Sequence, residues 1–395
     1  MYKRQVHPDA KKLFSGEGFT VETVSGALDE EELIKKIANV HVIGIRSKTN
    51  ITRRVLEHAN KLMAVGAFCI GTNQIDLDAC LEKGVVVFNA PYSNTRSVVE
   101  LAIGEIIMLM RGIPDKDKRM HEGNWNKSAT NSFEVRGKKL GIIGYGNIGS
   151  QLSVLAEAMG LDVYFYDFVD KLALGNAKKC LTMKELLETV DIVSLHVDGR
   201  PSNKNFFTEE HFSYMKQGSY FLNLARGPVI EIEGLKKHMK SGKIIGAGVD
   251  VFPTEPKTNK ETFVSELKGL TNLILTPHIG GSTQEAQVHI GSFVPNKIIS
   301  YINAGNTYGS VNFPNLQLPS LQKAHRLVHV HKNVPGMLAK INNILADNNC
   351  NILGQYLKTN EEVGFVILDI DQDHSKELLE EMKNIPDTIR FRVLY

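Results

Sequence analysis

Apolar residues in the first three-quarters of the chain fall into short, largely β-branched runs separated by stretches with helical spacing. Residues 40–45, 62–65 and 85–88 read as buried strands, with helical stretches at 52–60 and 76–83 between them. Strand, helix and strand in alternation predict a parallel sheet. An apolar helix at 98–110 and a polar segment at 111–136 follow, and a second alternating series then begins. Its predicted strands are 139–143, 162–166, 192–197, 220–224, 244–249 and 273–275, with helices such as 183–189 and 234–241 between them. Six strands with intervening helices suit a doubly wound α/β domain. Residues 285–304 read as one long helix, and 303–320, rich in Asn, Gly, Pro and Ser, read as a linker. The rhythm then changes to strand 326–332, helix 335–347, strands 351–358 and 363–370, helix 375–383 and strand 389–394. That βαββαβ order predicts a small ferredoxin-like domain.

A length of 395 residues fits two or three domains. Forty-six Lys and Arg against 44 Asp and Glu leave a formal charge of +2, which argues against broad nucleic-acid or polybasic membrane binding. The cysteines, Cys69, Cys80, Cys180 and Cys350, are scattered and form no Cys-x-x-Cys pair, so reduced thiols in a cytoplasm are expected and a zinc site is not. The first residues carry no apolar leader segment. The most apolar long stretch, 97–110, holds Glu100 and Glu105 and is too short to span a bilayer.

The chemistry starts at Lys139-Leu-Gly-Ile-Ile-Gly-Tyr-Gly-Asn-Ile-Gly149, where Gly144, Gly146 and Gly149 form a Gly-x-Gly-x-x-Gly between a strand and a helix. In that setting the first glycine permits a tight turn and the second lets backbone approach a pyrophosphate. The third lets helix and strand pack, and the helix N-terminus offers free N–H groups to the anion. Asp167, 18 residues beyond Gly149, stands where a carboxylate would bind an adenosine ribose diol and repel a 2′-phosphate. The expected cofactor is therefore NAD.

Polar residues at the carboxyl ends of parallel strands face the crevice where ligands bind. Arg226 follows one predicted strand, Glu255 another and His278 the last. A hydride transfer from a 2-hydroxy acid needs a base for the hydroxyl proton, which histidine provides near neutral pH. It also needs a cation that grips the carboxylate and polarises the carbonyl, which suits arginine's planar fork. A glutamate beside the histidine would favour imidazolium and fix its tautomer.

The residues that carry this pattern resemble the D-isomer-specific 2-hydroxyacid dehydrogenases over nearly the whole chain. The matching motifs are Phe68-Cys-Ile-Gly-Thr-Asn-Gln-Ile-Asp76, Asn89-Ala-Pro-Tyr-Ser-Asn-Thr-Arg-Ser97, the glycine loop, Asp250-Val-Phe-Pro-Thr-Glu-Pro256 and Thr276-Pro-His-Ile-Gly-Gly-Ser-Thr283. The resemblance implies a catalytic set of Arg226, Glu255 and His278. It implies cofactor contacts at Gly144, Gly146, Asn147, Ile148, Gly149, Asp167, His196, Val197, Ala225, Arg226, Asp250, His278, Gly280 and Gly281. It implies a flavodoxin-like substrate domain at 1–93 plus 282–314, a Rossmann-like NAD domain at 94–281, a linker at 315–323 and a ferredoxin-like ACT regulatory domain at 324–395. No metal is implied.

Arg46, Ser47 and Lys48 would hold a substrate phosphate, with lysine as a point charge where an arginine fork is expected. Asn94, Lys127 and Arg226 would complete the substrate contacts, Lys127 in its own subunit or a neighbour's. The reaction implied is oxidation of 3-phosphoglycerate to 3-phosphohydroxypyruvate, the first committed step towards L-serine. ACT domains of this family pair edge to edge and bind L-serine at the interface, and His331, Asn333 and Asn351 match those contacts by position. A homotetramer in the cytoplasm is implied as well. Two other readings stay open at this point: a relative acting on lactate, glycerate or glyoxylate, and a sensor that keeps the NAD fold without turnover.

Overall fold

The computed structural model describes residues 6–24, 26–256, 258, 260–319, 324–371 and 375–394. The chain divides into two compact units, Met1–Ser93 with Gln287–Tyr395, and Asn94–Ala286. Residues 1–5, where no apolar leader is expected, and residues 320–323 of the predicted linker lie outside the described residues.

The first unit opens with two helices that the sequence reading did not contain. Pro8–Gly16 begins on a proline, and Glu30–Ile37 begins on a capping box between Asp29 and Glu32. The second helix carries acidic residues in its first turn and Lys35 and Lys36 in its last, the arrangement that suits a helix dipole. Strands β1 (Val42–Ile45), β2 (Ala64–Ala67) and β3 (Val86–Phe88) then pair in parallel in that order. Among the described residues this sheet has three strands, fewer than the five of the flavodoxin pattern. The long helix Gln284–Ala304 buries Ile290, Val294, Ile298 and Tyr301, one stripe at helical spacing. Gly66 on β2 makes room for it, since a Cβ there would lie 2.7 Å from Val294 and 2.8 Å from Ile298.

The stretch after that helix is packed, which corrects its reading as a linker from 303 onwards. Thr307 is fully buried, and its hydroxyl donates to the Pro314 carbonyl. Asn312 accepts from the Val87 N–H and donates to the Val85 carbonyl, acting as a side-chain partner for β3. Polar composition misled the reading because these polar groups are spent on backbone inside the fold.

In the second unit, β4 (Lys139–Ile143), β5 (Asp162–Tyr166), β6 (Lys178–Lys179), β7 (Ile192–Leu195), β8 (Ser219–Asn223), β9 (Ile244–Val249) and β10 (Leu273–Leu275) form one parallel sheet. The order β10-β9-β8-β7-β4-β5-β6 is the Rossmann order with β10 added at one edge. The direction of winding reverses between β4 and β7, so a crevice opens at the carboxyl ends of those two strands. Helices Thr95–Met110 and Asn147–Ala158 pack against each other over one buried cluster, which holds Val99, Ile106, Leu140 and Leu152. A separate cluster holds Leu186, Phe207, Phe212 and Val249. Strand β6, only two lysines long, was not in the sequence reading, and Ile113–His121 is a helix inside the segment read as merely polar.

The rest of the first unit is β11 (His325–Lys332), helix Met337–Asp347, β12 (Ile352–Thr359), β13 (Val363–Ile370), helix Lys376–Lys383 and β14 (Thr388–Val393). The strands pair antiparallel in the order β12-β13-β11-β14, the ferredoxin-like arrangement. Alternation divides their side chains. Leu327, Val366, Leu368 and Ile370 meet Ile341, Leu345, Leu378 and Met382 of the two helices. Val328, Val330, Phe365 and Ile367 join Phe88, Tyr301 and Phe313 in another core.

At that second face Arg326 is fully buried and bidentate on Asp369, with both bonds at 2.7 Å. Its guanidinium also donates to the carbonyls of Ala304 and Pro319, so one side chain ties the long helix and the following segment to the sheet. Arg390 on β14 donates to the carbonyls of Leu62 and Lys83. Among the described residues no helix is long and apolar enough to cross a membrane.

Candidate active site

Three loops at the carboxyl ends of β8, β9 and β10 converge within the second unit. After β8, the fully buried Asn223 folds the chain back on itself. Its Oδ1 accepts from the Ala225 N–H and its Nδ2 donates to the Arg226 carbonyl. This turn holds Arg226 half-buried, with one guanidinium nitrogen donating to the Ala225 carbonyl. The next residue, Gly227, lies against the backbone of Phe252, where a Cβ would meet the carbonyl carbon at 1.9 Å. The Arg226 turn is thereby seated directly on the loop that carries Glu255.

Glu255 and His278 form a two-point pair. The His278 Nδ1 lies 3.0 Å from Oε1 and 2.9 Å from Oε2 of Glu255. A carboxylate only accepts, so Nδ1 is the protonated nitrogen and Nε2 is the one left to exchange a proton with a substrate. Burial pushes the Glu255 carboxyl up, but its bond to His278, the His278 charge, the Phe252 N–H and the Arg226 charge outweigh that. The group settles below the usual glutamate value. The pair thus holds an ionised carboxylate behind the imidazole near neutral pH.

His278 has a backbone φ of +54°, the left-handed region. Asp250, just beyond β9 and 1% exposed, fixes that turn. Its backbone carbonyl accepts the His278 N–H at 2.9 Å. Its carboxylate accepts from the Thr276 hydroxyl at 2.6 Å and from the N–H groups of Ile279 and Gly280, each at 2.8 Å. Asp250 was expected beside the cofactor, and here its oxygens clamp the histidine turn. Asn223, Gly227, Thr276 and Glu105 (a carboxyl in the same unit's core) were absent from the sequence-based set. The first two lie within one to three residues of Arg226 in the segment Asn223-Leu-Ala-Arg-Gly227, so their positions were a usable signal.

The cofactor loop fits the group its motif implies. Gly144 has φ +92°, and a Cβ on it would strike the His196 carbonyl at 2.7 Å. A Cβ on Gly149 would sit 2.2 Å from the Gly144 carbonyl oxygen, whereas one on Gly146 would meet nothing within 4 Å. The first and third glycines are therefore required by the protein's own packing, and the second leaves an open approach for a diphosphate. Gly146 and Asn147 are exposed and Ile148 is half-buried where the Asn147–Ala158 helix starts.

Asp167, after β5, accepts from the N–H groups of Tyr145 and Val169, so its carboxylate is aimed by the loop before any ligand arrives. His196, after β7, has a buried Nδ1 without a protein partner, and burial holds its ring neutral with a pKa near 4. An orphaned acceptor or donor beside the glycine turn is what a ligand-binding wall would leave. Val197 and Ala225 follow β7 and β8, and Gly280 and Gly281 continue the histidine turn. Gly281 lies against Asn94, whose Oδ1 is buried and unpartnered.

Arg46, Ser47 and Lys48 form the turn after β1 in the first unit, with Arg46 half-buried and Lys48 exposed. Lys127 is exposed in the irregular stretch after the Ile113–His121 helix, two residues past the largely exposed Trp125. The three residues expected to bind serine are not brought together within one chain. His331 is buried near the end of β11, paired with Gly364 at the start of β13, with its Nε2 unpartnered. Asn333 donates to the Asn360 carbonyl at the same end. Asn351 pairs its backbone with Asp371 beyond the opposite end of β13, a separation of roughly 20 Å at the rise of an antiparallel strand. Among the described residues no group of three or more His, Cys, Asp or Glu side chains could hold a metal ion.

Residues 103–280 match the model of the D-isomer specific 2-hydroxyacid dehydrogenase NAD-binding domain, and residues 327–390 match the AHAS small subunit-like ACT domain. The chain is 51% identical over 391 residues to a D-3-phosphoglycerate dehydrogenase of Haemophilus influenzae, covering 99% of this chain and 95% of that one. It is 50% identical over 393 residues to the enzyme of the same name from Escherichia coli K12, covering 99% and 96%. The counterpart in Dictyostelium discoideum is 48% identical over 390 residues, with 99% and 95% covered. Among solved structures, D-2-hydroxyisocaproate dehydrogenase superposes with a TM-score of 0.70 at 24% identity, covering 77% of this chain and 96% of that one. The Aquifex aeolicus D-lactate dehydrogenase, complexed with NAD and lactic acid, gives 0.68 at 24% identity, covering 78% and 97%. At that identity the structures speak for the shared fold.

Proposed function

The chain belongs to the D-isomer specific 2-hydroxyacid dehydrogenase family, and we propose that it oxidises 3-phospho-D-glycerate to 3-phosphohydroxypyruvate, with Arg226, Glu255 and His278 as its catalytic residues. Bound NAD supplies the hydride acceptor, and the glycine loop, Asp167 and His196 are the residues that would hold it. The observation that carries the reading is the two-point His278–Glu255 pair set beside Arg226 in a Rossmann unit.

His278 Nε2 takes the hydroxyl proton as the substrate carbon is oxidised. Glu255 keeps Nδ1 protonated and offsets the positive charge that the ring acquires. Arg226 grips the substrate carboxylate and polarises the oxygen that becomes the carbonyl. In the reverse direction the imidazolium returns its proton to that oxygen. Arg46, Ser47 and Lys48 take the phosphate, with Asn94 and Lys127 as further substrate contacts. Residues 1–93 with 282–314 serve the substrate, 94–281 the cofactor and 324–395 regulation.

We also propose that L-serine inhibits turnover through the ACT domain of a cytoplasmic homotetramer. Strand β12 is an open sheet edge carrying the exposed Leu353, Tyr356 and Leu357. Two such edges pairing antiparallel across a two-fold axis would bring Asn351 of one chain to the Asn333 end of the other. That arrangement supplies the contacts a single chain separates.

The test follows NADH oxidation with 3-phosphohydroxypyruvate, with and without L-serine, and with glyoxylate and pyruvate as controls. Turnover confined to the phosphorylated acid and slowed by serine is expected. Preference for an unphosphorylated acid would overturn the substrate assignment. Unchanged turnover at saturating serine would overturn the regulation.

A further inference from the structure

Helix Thr95–Met110 carries two glutamates with opposite fates. Glu100 is exposed and paired with Arg96, whereas Glu105 is 2% exposed and neither of its carboxyl oxygens has a hydrogen-bond partner. The carboxyl lies on β9, where the absence of a side chain at Gly248 makes its place. A Cβ on Gly248 would sit 2.3 Å from the Glu105 Oε2. Two residues further along the same strand path is Asp250, the clamp of the His278 turn.

We propose that Glu105 is a positioning residue, a neutral carboxylic acid set against Gly248 that spares Asp250, the clamp of the His278 turn, a second buried negative charge. An ionised carboxylate with no donor in an apolar core is too costly to persist, so the group keeps its proton. Burial, and then the Asp250 charge, push its pKa up to about 8. The other titratable side chains on the elements packed against this helix are Tyr220 on β8, Glu157 on Asn147–Ala158, and Asp115, Lys116, Asp117, Lys118, Arg119 and His121 on Ile113–His121; β9 and β10 carry none. Asp250 is the charged neighbour that acts on Glu105.

Once Glu105 ionises, a second negative charge stands under a carboxylate that is already buried. Like charges in such a site cannot both stay ionised in place at low cost. The attachments at stake are the Asp250 carboxylate bonds to Ile279 and Gly280, and loosening them frees the left-handed His278 turn. The device rests on the reading of His278 as the acid–base residue.

The experiment compares the pH profiles of kcat for oxidation of 3-phosphoglycerate with NAD, the direction in which neutral His278 accepts the proton, for the full-length wild type, Glu105→Gln and His278→Ala, each checked for folding by circular dichroism. Wild-type kcat should fall towards tenfold per pH unit above pH about 8. Glu105→Gln, which cannot ionise, should match it at pH 7 and lack that fall. Superimposable profiles for wild type and Glu105→Gln overturn the inference. A His278→Ala variant with full turnover instead overturns the acid–base reading itself. If Glu105→Gln does not fold, infrared difference spectra of wild type with isotope-labelled glutamate decide the matter. A protonated-carboxyl band at pH 7 that vanishes by pH 9 supports the inference, and its absence at pH 7 overturns it.

Discussion

Replacing Gly227 by alanine adds one methyl group at the seam between the two loops that carry Arg226 and Glu255. The added Cβ would lie 1.9 Å from the Phe252 carbonyl carbon, 2.0 Å from its oxygen and 2.5 Å from the Pro253 nitrogen. Ordinary contact begins at 3.4 Å, so the two backbones must part by about 1.5 Å, and no flexible side-chain end is available to absorb the shift. Either Arg226 moves away from the substrate carboxylate, or Phe252 and Glu255 move and the bonds of 2.9 and 3.0 Å to His278 are lost. Displacement of a reacting group by about 1 Å costs on the order of a hundredfold in rate. We therefore expect Gly227→Ala to lower kcat/KM by at least about a hundredfold, or roughly 2.7 kcal/mol. Overpacking should cost about 1–3 kcal/mol of stability. The assay is steady-state turnover of 3-phosphohydroxypyruvate with NADH, alongside thermal unfolding to certify the fold. A folded variant whose kcat/KM stays within threefold of wild type would refute the argument that this seam sets the site.

Two further expectations concern the ferredoxin-like domain. Asp369→Ala removes the bidentate carboxylate from the buried Arg326 and should cost about 3–5 kcal/mol in denaturant unfolding. Arg326→Met combined with Asp369→Leu should recover only part of that loss, since the Ala304 and Pro319 carbonyls lose their donor, and a single substitution costing under about 1 kcal/mol would contradict it. His329 is fully buried, and burial, followed by the nearby His331 charge, lowers its pKa to about 4. Because the folded value lies below the unfolded one, its contribution is intact above pH about 6.5 and is lost as pH falls towards 4. The loss amounts to about 3 kcal/mol. His329→Gln should flatten that acid slope in unfolding curves recorded across the window, and an unchanged slope would speak against it.

Much of this architecture is legible in the residue order because backbone constraints write themselves into it. The glycine loop shows through because Gly144 needs a positive φ and Gly149 a bare Cα. The βαββαβ rhythm shows through because β11 and β13 carry apolar residues on both faces, Val328, Val330, Phe365 and Ile367 on one and Leu327, Val366, Leu368 and Ile370 on the other. Strand β6 is two exposed lysines with no alternation to detect, and Ile113–His121 buries no residue, so no apolar stripe marks it. The helices Pro8–Gly16 and Glu30–Ile37 were readable from a first-turn proline and the Asp29–Glu32 capping box. Glu105 entered the reading only as a charge interrupting an apolar run. Its spacing from the buried Ala102 and Leu109 places it on the buried face, which charge counting ignores. The left-handed turn at His278 has no signature in residue type, since it is imposed by Asp250 from another strand end.

The separation of His331 and Asn351 along β13 has a genetic consequence. If each serine site takes its histidine end from one chain and its Asn351 from the partner, no chain owns a complete site. Chains carrying His331→Ala and chains carrying Asn351→Ala would each form homo-oligomers blind to serine. Co-assembled, they would divide their defects unevenly: one interface site would inherit both lesions and the other would inherit none. Two insensitive alleles would thus complement each other to restore half of the sites, and feedback control would be a property of the pair of gene copies expressed together.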